Sequence, residues 1–308
     1  MSKSVGYKAS VNFVNIFALP FFFVLLYGSG FVGAKLGLPH STPLSFLSLR
    51  FIAAGLLLLI IAKWFGKQLP NWREIMHISV AGSLTVCLFS VGVFVSIDMG
   101  LAPAISALIV ALQPILVALF AQKLVNERLN LAQWFGLLFG FLGVIVVVID
   151  SIETTYFSWI AIGMSVLALL GVTFGSLYQK RYCADMEIFY GGAIQSLVSG
   201  LICLVLLPFF DSFKIVWVGE FIISLVYMVV GVSLGALSLL YIMIQRGEVS
   251  RVASVFYLVP VSAAVSAYLL FGETIEDTTL FGASIIAMGI FLTNRKPKNI
   301  IVVSINKE

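Results

Sequence analysis

The sequence predicts an all-α integral membrane protein of ten transmembrane helices, built as two inverted five-helix repeats. Three observations carry the prediction: an apolar composition, ten evenly placed apolar segments, and one string that is written twice. The chain has 308 residues, of which 61% are hydrophobic and 10% charged. Its mean hydropathy is +1.10. A soluble domain is about 25% charged. This chain lacks the polar surface to face water all round, so lipid must be part of its solvent. The net charge of +4 therefore says nothing of nucleic acid, and none is expected as a partner. The three cysteines, Cys87, Cys183 and Cys203, have no CxxC spacing. They read as buried thiols rather than a disulfide framework or zinc site.

The apolar segments fall near 14–37, 44–63, 74–97, 100–122, 131–150, 157–179, 187–208, 217–243, 250–271 and 278–294. Most are close to the ~20 residues that cross a bilayer as a helix. In lipid the backbone must satisfy its own polar groups, which makes each of them a helix. The first is too long for a signal peptide and has no clear small-x-small cleavage site, so it counts as a span. Ten spans put both termini on one face. Fifteen of the eighteen Lys and Arg residues then fall on that face and only Lys214 in the opposite loops, with Lys35 and Arg50 within or beside spans. That asymmetry predicts cytoplasmic termini.

The repeated string is "PILVALFAQKLVNE" (114–127) and "PVSAAVSAYLLFGE" (260–273), 146 residues apart. Gly136 and Gly143 match Gly282 and Gly289 at the same offset, and Arg50 and Gly55 match Gln195 and Gly200 at 145. The unit is five spans. An odd number inverts the second copy, and the loops agree: basic Arg128 follows Glu127, whereas acidic Glu276 and Asp277 follow Glu273. The expected halves are 1–150 and 151–308. Inverted halves around an axis in the membrane plane are a transporter architecture.

With "YGSGFVGAK" (27–35) and "FLSLRF" (46–51) added to the two proline-to-glutamate strings, the chain resembles the drug/metabolite transporter superfamily of the EamA type. The resemblance covers most of the chain. It implies two five-helix domains, a central cavity lined by spans one to four and six to nine, and peripheral fifth and tenth spans. It also implies transport of small metabolites, often amino acids and frequently outward. The sixth span, "LLGVTFGSLYQK" (169–180), departs from the family's usual tryptophan-containing opening.

Ionisable groups inside spans are expensive and default to functional candidates. Arg50 lies about 10 Å into the second span at the helical rise. Its guanidinium can fork onto a carboxylate or phosphate, or snorkel. Lys35 ends the first span. Asp98 closes the third near the same face and is a candidate gate with either cation, or simply meets water. Polar residues share helical faces on the fourth span (Ser106, Gln113), sixth (Thr173, Ser176, Lys180), eighth (Ser238, Tyr241, Gln245) and ninth (Ser250, Ser254, Tyr257). Such faces look inward, to a cavity or to neighbouring helices. The candidate cargo site is Arg50, Lys35, Tyr27, Gln113, Ser106, Tyr241, Gln245, Ser254 and Tyr257. Pro114 and Pro260 sit mid-span, remove backbone hydrogen bonds and are candidate hinges. Gly136, Gly140 and Gly143 form a small-residue ridge that fits packing within a monomer.

These features favour a secondary transporter in a bacterial cytoplasmic membrane. A phosphate-cradling nucleotide motif is absent from the sequence, as are the clustered His, Asp or Glu of a metalloenzyme or hydrolase. An enzyme is not expected, nor a cofactor or metal. The expected partners are a small-molecule substrate and the lipid bilayer. Arg50 and Lys35 favour a carboxylate cargo such as an amino acid; a hydrophobic or cationic cargo held by aromatic side chains is the alternative. No carboxylate or histidine lies near a span midpoint, so facilitated exchange and proton coupling through a peripheral group such as Asp98 are both open.

Overall fold

Long apolar runs in lipid can pair their amides only within themselves, and the described chain is helical throughout its spans. The computed structural model describes residues 18–149, 158–272 and 276–294. Nine helices among them are long and apolar enough to cross a membrane: α1 Leu19–His40, α2 Pro43–Trp64, α3 Trp72–Asp98, α4 Ala104–Leu124, α5 Leu131–Val148, α6 Trp159–Tyr182, α7 Ile188–Phe210, α8 Gly219–Arg246 and α9 Val249–Leu270. A tenth, α10 Asp277–Asn294, has 18 residues and packs along α5. The expected boundary at 150/151 lies outside the described residues. So do Glu273 and the basic residues near either terminus, Lys3, Lys8, Arg295, Lys296, Lys298 and Lys307.

Helix ends follow local chemistry. Asn71 and Glu74 close a reciprocal capping box at the start of α3, with amide-to-oxygen distances of 2.9 and 3.0 Å. Asn130 and Gln133 do the same at the start of α5. Each box satisfies two amides that would otherwise lack partners. Pro43 opens α2, where its missing N–H costs nothing.

The two halves obey one contact pattern in which each helix exchanges with the helix five further on. α1 packs on α8 and α9, and α6 correspondingly packs on α3 and α4. α2 meets α8, and α7 meets α3. The pairs α2/α7 and α5/α10 are each a helix against its own mate. Both pairs are antiparallel, as inverted repeats require. A Cβ on Gly55 would fall among Ala193 and Leu197, whereas one on Gly200 would meet Ile52. In α5/α10 the approach is backbone to backbone. A Cβ on Gly143 would lie 2.9 Å from the Gly282 carbonyl, and one on Gly282 would lie 2.8 Å from the Gly143 carbonyl. Gly136 faces Gly289 and Thr293 in the same way. The glycine ridge read from the sequence is thus an intramolecular seam.

Irregularities are also paired. α3 widens to a π-helix at Ser83–Leu88, and α8 at Met228–Ala236. α4 breaks at Ala111–Leu112 before Pro114. α9 tightens to a 3-10 turn at Val255–Leu258 before Pro260. The two prolines expected as hinges therefore sit at true breaks, because each ring clashes with the carbonyl four residues back.

Candidate functional site

One end of the bundle carries Lys35, and the other carries Lys180. Between α1, α2, α3 and α8, in the half nearer Lys35, lies a cavity of about 50 Å³. Such a volume is large enough to hold water. Its wall is mostly apolar, with Phe31, Phe89 and Phe94 among the lining residues, and its polar members are Tyr27, Arg50, Thr85 and Ser90.

Arg50 is the charge in this wall. Its side chain is 5% exposed. From α2 it reaches the π-segment of α8, where Nε donates to Ser233 Oγ at 3.0 Å. The guanidinium carbon also lies 5.0 Å from the Phe51 ring centroid. Among the described residues no carboxylate pairs with Arg50, and its two NH₂ groups have no hydrogen-bond acceptor. A buried cation in that condition is costly unless an anion or water meets it. Tyr27 stands beside it in an aromatic group, with ring centroids 5.1 Å from Phe23, 5.4 Å from Phe256 and 6.2 Å from Phe89.

Thr85 is the floor of the cavity and the link to a second polar group. Its hydroxyl donates to Ala81 O at 2.8 Å and reaches Gln195 Oε1 at 3.3 Å. The same Gln195 oxygen accepts from Tyr241 OH at 3.1 Å, while Gln195 Nε2 donates to Gln179 Oε1 at 3.3 Å. Gln179, Gln195 and Tyr241 are all at most 1% exposed. Gln179 Nε2 is buried with no partner among the described residues.

Beyond this group the Lys180 end is tied shut. Lys180 Nζ donates to the carbonyls of Ile244, Gln245 and Gly247 at 2.8, 3.4 and 2.7 Å. Those carbonyls belong to the last turn of α8 and the residue that follows it, where a cation is favoured. Glu127 accepts from the amides of Val249 and Ser250 at 2.8 and 3.2 Å, capping α9 from the end of α4. Arg181 donates to Leu124 O at 3.2 Å, and Gln245 Nε2 donates to Met186 O at 2.7 Å. At the same end Cys183 is buried, and burial pushes its thiol up to about 11. All three cysteines are free and buried, as read from the sequence.

The structure distributes the candidates unevenly. It brings Arg50 and Tyr27 to the cavity. Tyr241 joins the Gln195 group, and Gln245 belongs to the ties at the Lys180 end. Ser106 bonds Ser96 and Ser165, joining α4 to α3 and α6, and is not itself in the cavity lining. Ser254 donates to its own helix at Arg251 O. Gln113 and Tyr257 are buried, and Gln113 Oε1 and Tyr257 OH lack partners among the described residues. The Tyr257 ring packs on Gly140. Lys35 is exposed and does not line the cavity. Asp98 is exposed at the end of α3 and does not line the cavity. The sequence reading did not single out Thr85, Ser90 or Ser233 for the site. Their signal is the repeat register: Thr85 and Ser233 occupy the matching π-segments of α3 and α8.

Comparison with known proteins fits this geometry. The model of the EamA-like transporter family matches residues 14–149 and again 158–295. An uncharacterized transporter of Bacillus subtilis, YvbV, is 26% identical over 279 residues, covering 90% of each chain. The inner membrane transporter YedA of Escherichia coli is 23% identical, over 92% of this chain and 94% of its own. A probable amino-acid metabolite efflux pump of Salmonella typhimurium is 24% identical, over 87% and 91%. A solved crystal structure superposes with a TM-score of 0.74 at 20% identity, over 90% of this chain and 96% of the other. That structure speaks to the fold alone. The family and these relatives are transporters rather than enzymes. With one match in each five-helix half, the chain belongs to the EamA-like transporter family.

Proposed function

We propose that the protein is a secondary transporter that exports a small metabolite bearing a carboxylate, an amino acid or a close relative, by alternating access. The observation that carries this reading is Arg50: a buried guanidinium in the cavity wall with its NH₂ groups unpaired among the described residues. A planar cation suits the two oxygens of a carboxylate. The aromatic and aliphatic lining then suits an apolar remainder. The Salmonella relative's name, a probable amino-acid metabolite efflux pump, supports the same class. The charge asymmetry of the loops supports an orientation with both termini in the cytoplasm of a bacterial cell and the Lys180 end inward. The Arg50 cavity then belongs to the outward-facing state. The chain acts as a monomer, since its tightest small-residue seam is used internally.

A second reading, export of a hydrophobic or cationic compound, draws on Tyr27, Phe31, Phe89 and Phe94 in the wall. A thermal-shift panel on the purified protein separates the two. A ligand at 100 times its Kd stabilises by about 2.7 kcal/mol. Amino acids and organic acids should stabilise the native chain and lose that effect in Arg50→Ala. Stabilisation by hydrophobic cations alone, retained in Arg50→Ala, would sink the carboxylate reading. Uptake into liposomes with and without a pH gradient separates exchange from proton coupling.

A further inference from the structure

The Gln195 group is more than a set of interhelical hydrogen bonds, because of where the repeat puts it. Gln195 is the mate of Arg50, 145 residues on. Gln179 is the mate of Ala34 at the same offset, next to the matched lysines Lys35 and Lys180. Tyr241 is the mate of Phe94 at an offset of 147, in the register that aligns Ile97 and Gly100 with Ile244 and Gly247. Arg50, Ala34 and Phe94 all line the cavity. Even the hydrogen bonds correspond. Arg50 of α2 bonds Ser233 in the π-segment of α8, and Gln195 of α7 bonds Thr85 in the π-segment of α3.

We infer that Gln179, Gln195 and Tyr241, with Thr85 shared between the halves, form a second binding half-site, collapsed in this conformation, that opens at the Lys180 end and holds polar cargo groups by hydrogen bonds without a fixed charge. The inference rests on the transporter reading but not on the carboxylate. Two further observations support it. The group is loosely satisfied: two of its side-chain bonds measure 3.3 Å, and Gln179 Nε2 is a wholly buried donor with no acceptor among the described residues. A buried donor of that kind costs free energy in a static role. It is accounted for if water or cargo meets it in the other state. In addition, the ties that cover the group, from Lys180, Arg181, Glu127 and Gln245, go largely to backbone at helix ends and can be broken without unravelling a helix. Repeat symmetry gives the two half-sites one geometry. The sequence gives them different chemistry, a cation at Arg50 and an amide at Gln195.

The test is cysteine accessibility in membrane vesicles of both orientations. Its probes are two membrane-impermeant methanethiosulfonates, one carrying a sulfonate and one a trimethylammonium. Gln179→Cys and Gln195→Cys are compared with Ser90→Cys in the Arg50 cavity, with the unsubstituted chain as the baseline for Cys87, Cys183 and Cys203. Using two positions guards against one variant failing to fold. We expect both glutamine positions to react above baseline only from the Lys180 end, at least tenfold more slowly than Ser90→Cys reacts from the Lys35 end. We also expect the two reagents to react there in the ratio they show with a small thiol in solution, within twofold. Absence of reaction from the Lys180 end in folded protein, or reaction from the Lys35 end, would overturn the half-site. A several-fold preference for the sulfonate would overturn its neutrality. The carboxylate reading fails separately: it requires the sulfonate to be preferred at Ser90→Cys, beside Arg50.

Discussion

The two halves of the bundle place equivalent residues in unlike surroundings. Around Arg50 there is a cavity and a cation whose NH₂ groups are unpaired among the described residues. Around Gln195 there is a buried group of amides and hydroxyls, covered by ties from four polar side chains. The contrast teaches that a repeat supplies geometry twice but need not supply chemistry twice. One backbone plan, with π-segments in α3 and α8 and breaks before Pro114 and Pro260, is filled on one side with a charge and on the other without. A buried charge demands a partner; a buried amide can be satisfied by its neighbours. In this conformation the glutamine side is covered by the ties at the Lys180 end, and the arginine side keeps a cavity.

Four substitutions test this comparison. The largest effect is expected from Arg50→Gln, which makes the halves alike. Removing one partner of a buried charge pair costs ~2–5 kcal/mol. Initial transport of a carboxylate cargo should therefore fall roughly a hundredfold or more, with a melting temperature at or above that of the native chain. A lower melting temperature with unchanged transport would make Arg50 a structural residue. Next is Gly289→Ala, which probes the frame on which both halves are mounted. Its Cβ would lie 2.5 Å from the Gly140 amide nitrogen, with backbone that cannot step aside. Overpacking of this kind costs about 1–3 kcal/mol, to be read as a lowered melting temperature in detergent. Lys180→Met removes the charge that binds the end of α8. Hydrogen bonds to charged groups contribute about 1.5–3 kcal/mol each, partly regained from water once the end opens. The expected result is faster thiol labelling at Gln179→Cys from the Lys180 end, which would bring the two halves closer in behaviour. The smallest effect belongs to Glu127→Gln, which weakens the cap on α9 by about 1 kcal/mol. It should change the same labelling only a few-fold.

Much of this fold was legible in the sequence because its physical cause is local. Apolar length is read directly from hydropathy: the segment expected at 44–63 is Pro43–Trp64, and that at 187–208 is Ile188–Phe210. The inversion was legible because prolines and glycines recur in register, and glycine's role in the α5/α10 seam depends only on its lacking a Cβ. The site was harder. Ser106 and Tyr241 both lie on polar helical faces, yet Ser106 ties α4 to α3 and α6, and Tyr241 joins the Gln195 group. Helical spacing gives a face but not the neighbour that the face meets. Thr85 and Ser233 were missed because a hydroxyl in a largely apolar run does not show which helix it will meet. Only the π-segments that carry them, and the long-range partners Gln195 and Arg50, make them distinctive.

The antiparallel self-pairs α2/α7 and α5/α10 have a consequence for how such a chain arises and assembles. A contact between a surface and its own copy about a two-fold axis is the isologous interface of a symmetric dimer. Here it lies within one polypeptide. A single five-helix half inserted in both orientations would present the same two surfaces to itself. The covalent connection then fixes stoichiometry and orientation, while the interface is already complete without it. A chain severed between residues 149 and 158 keeps every helix of both pairs. Co-expressed as two pieces, it should reassociate in the membrane as a heterodimer with the native inverted geometry. The asymmetry between Arg50 and Gln195 is what fusion permits and a homodimer forbids: two equivalent positions free to diverge.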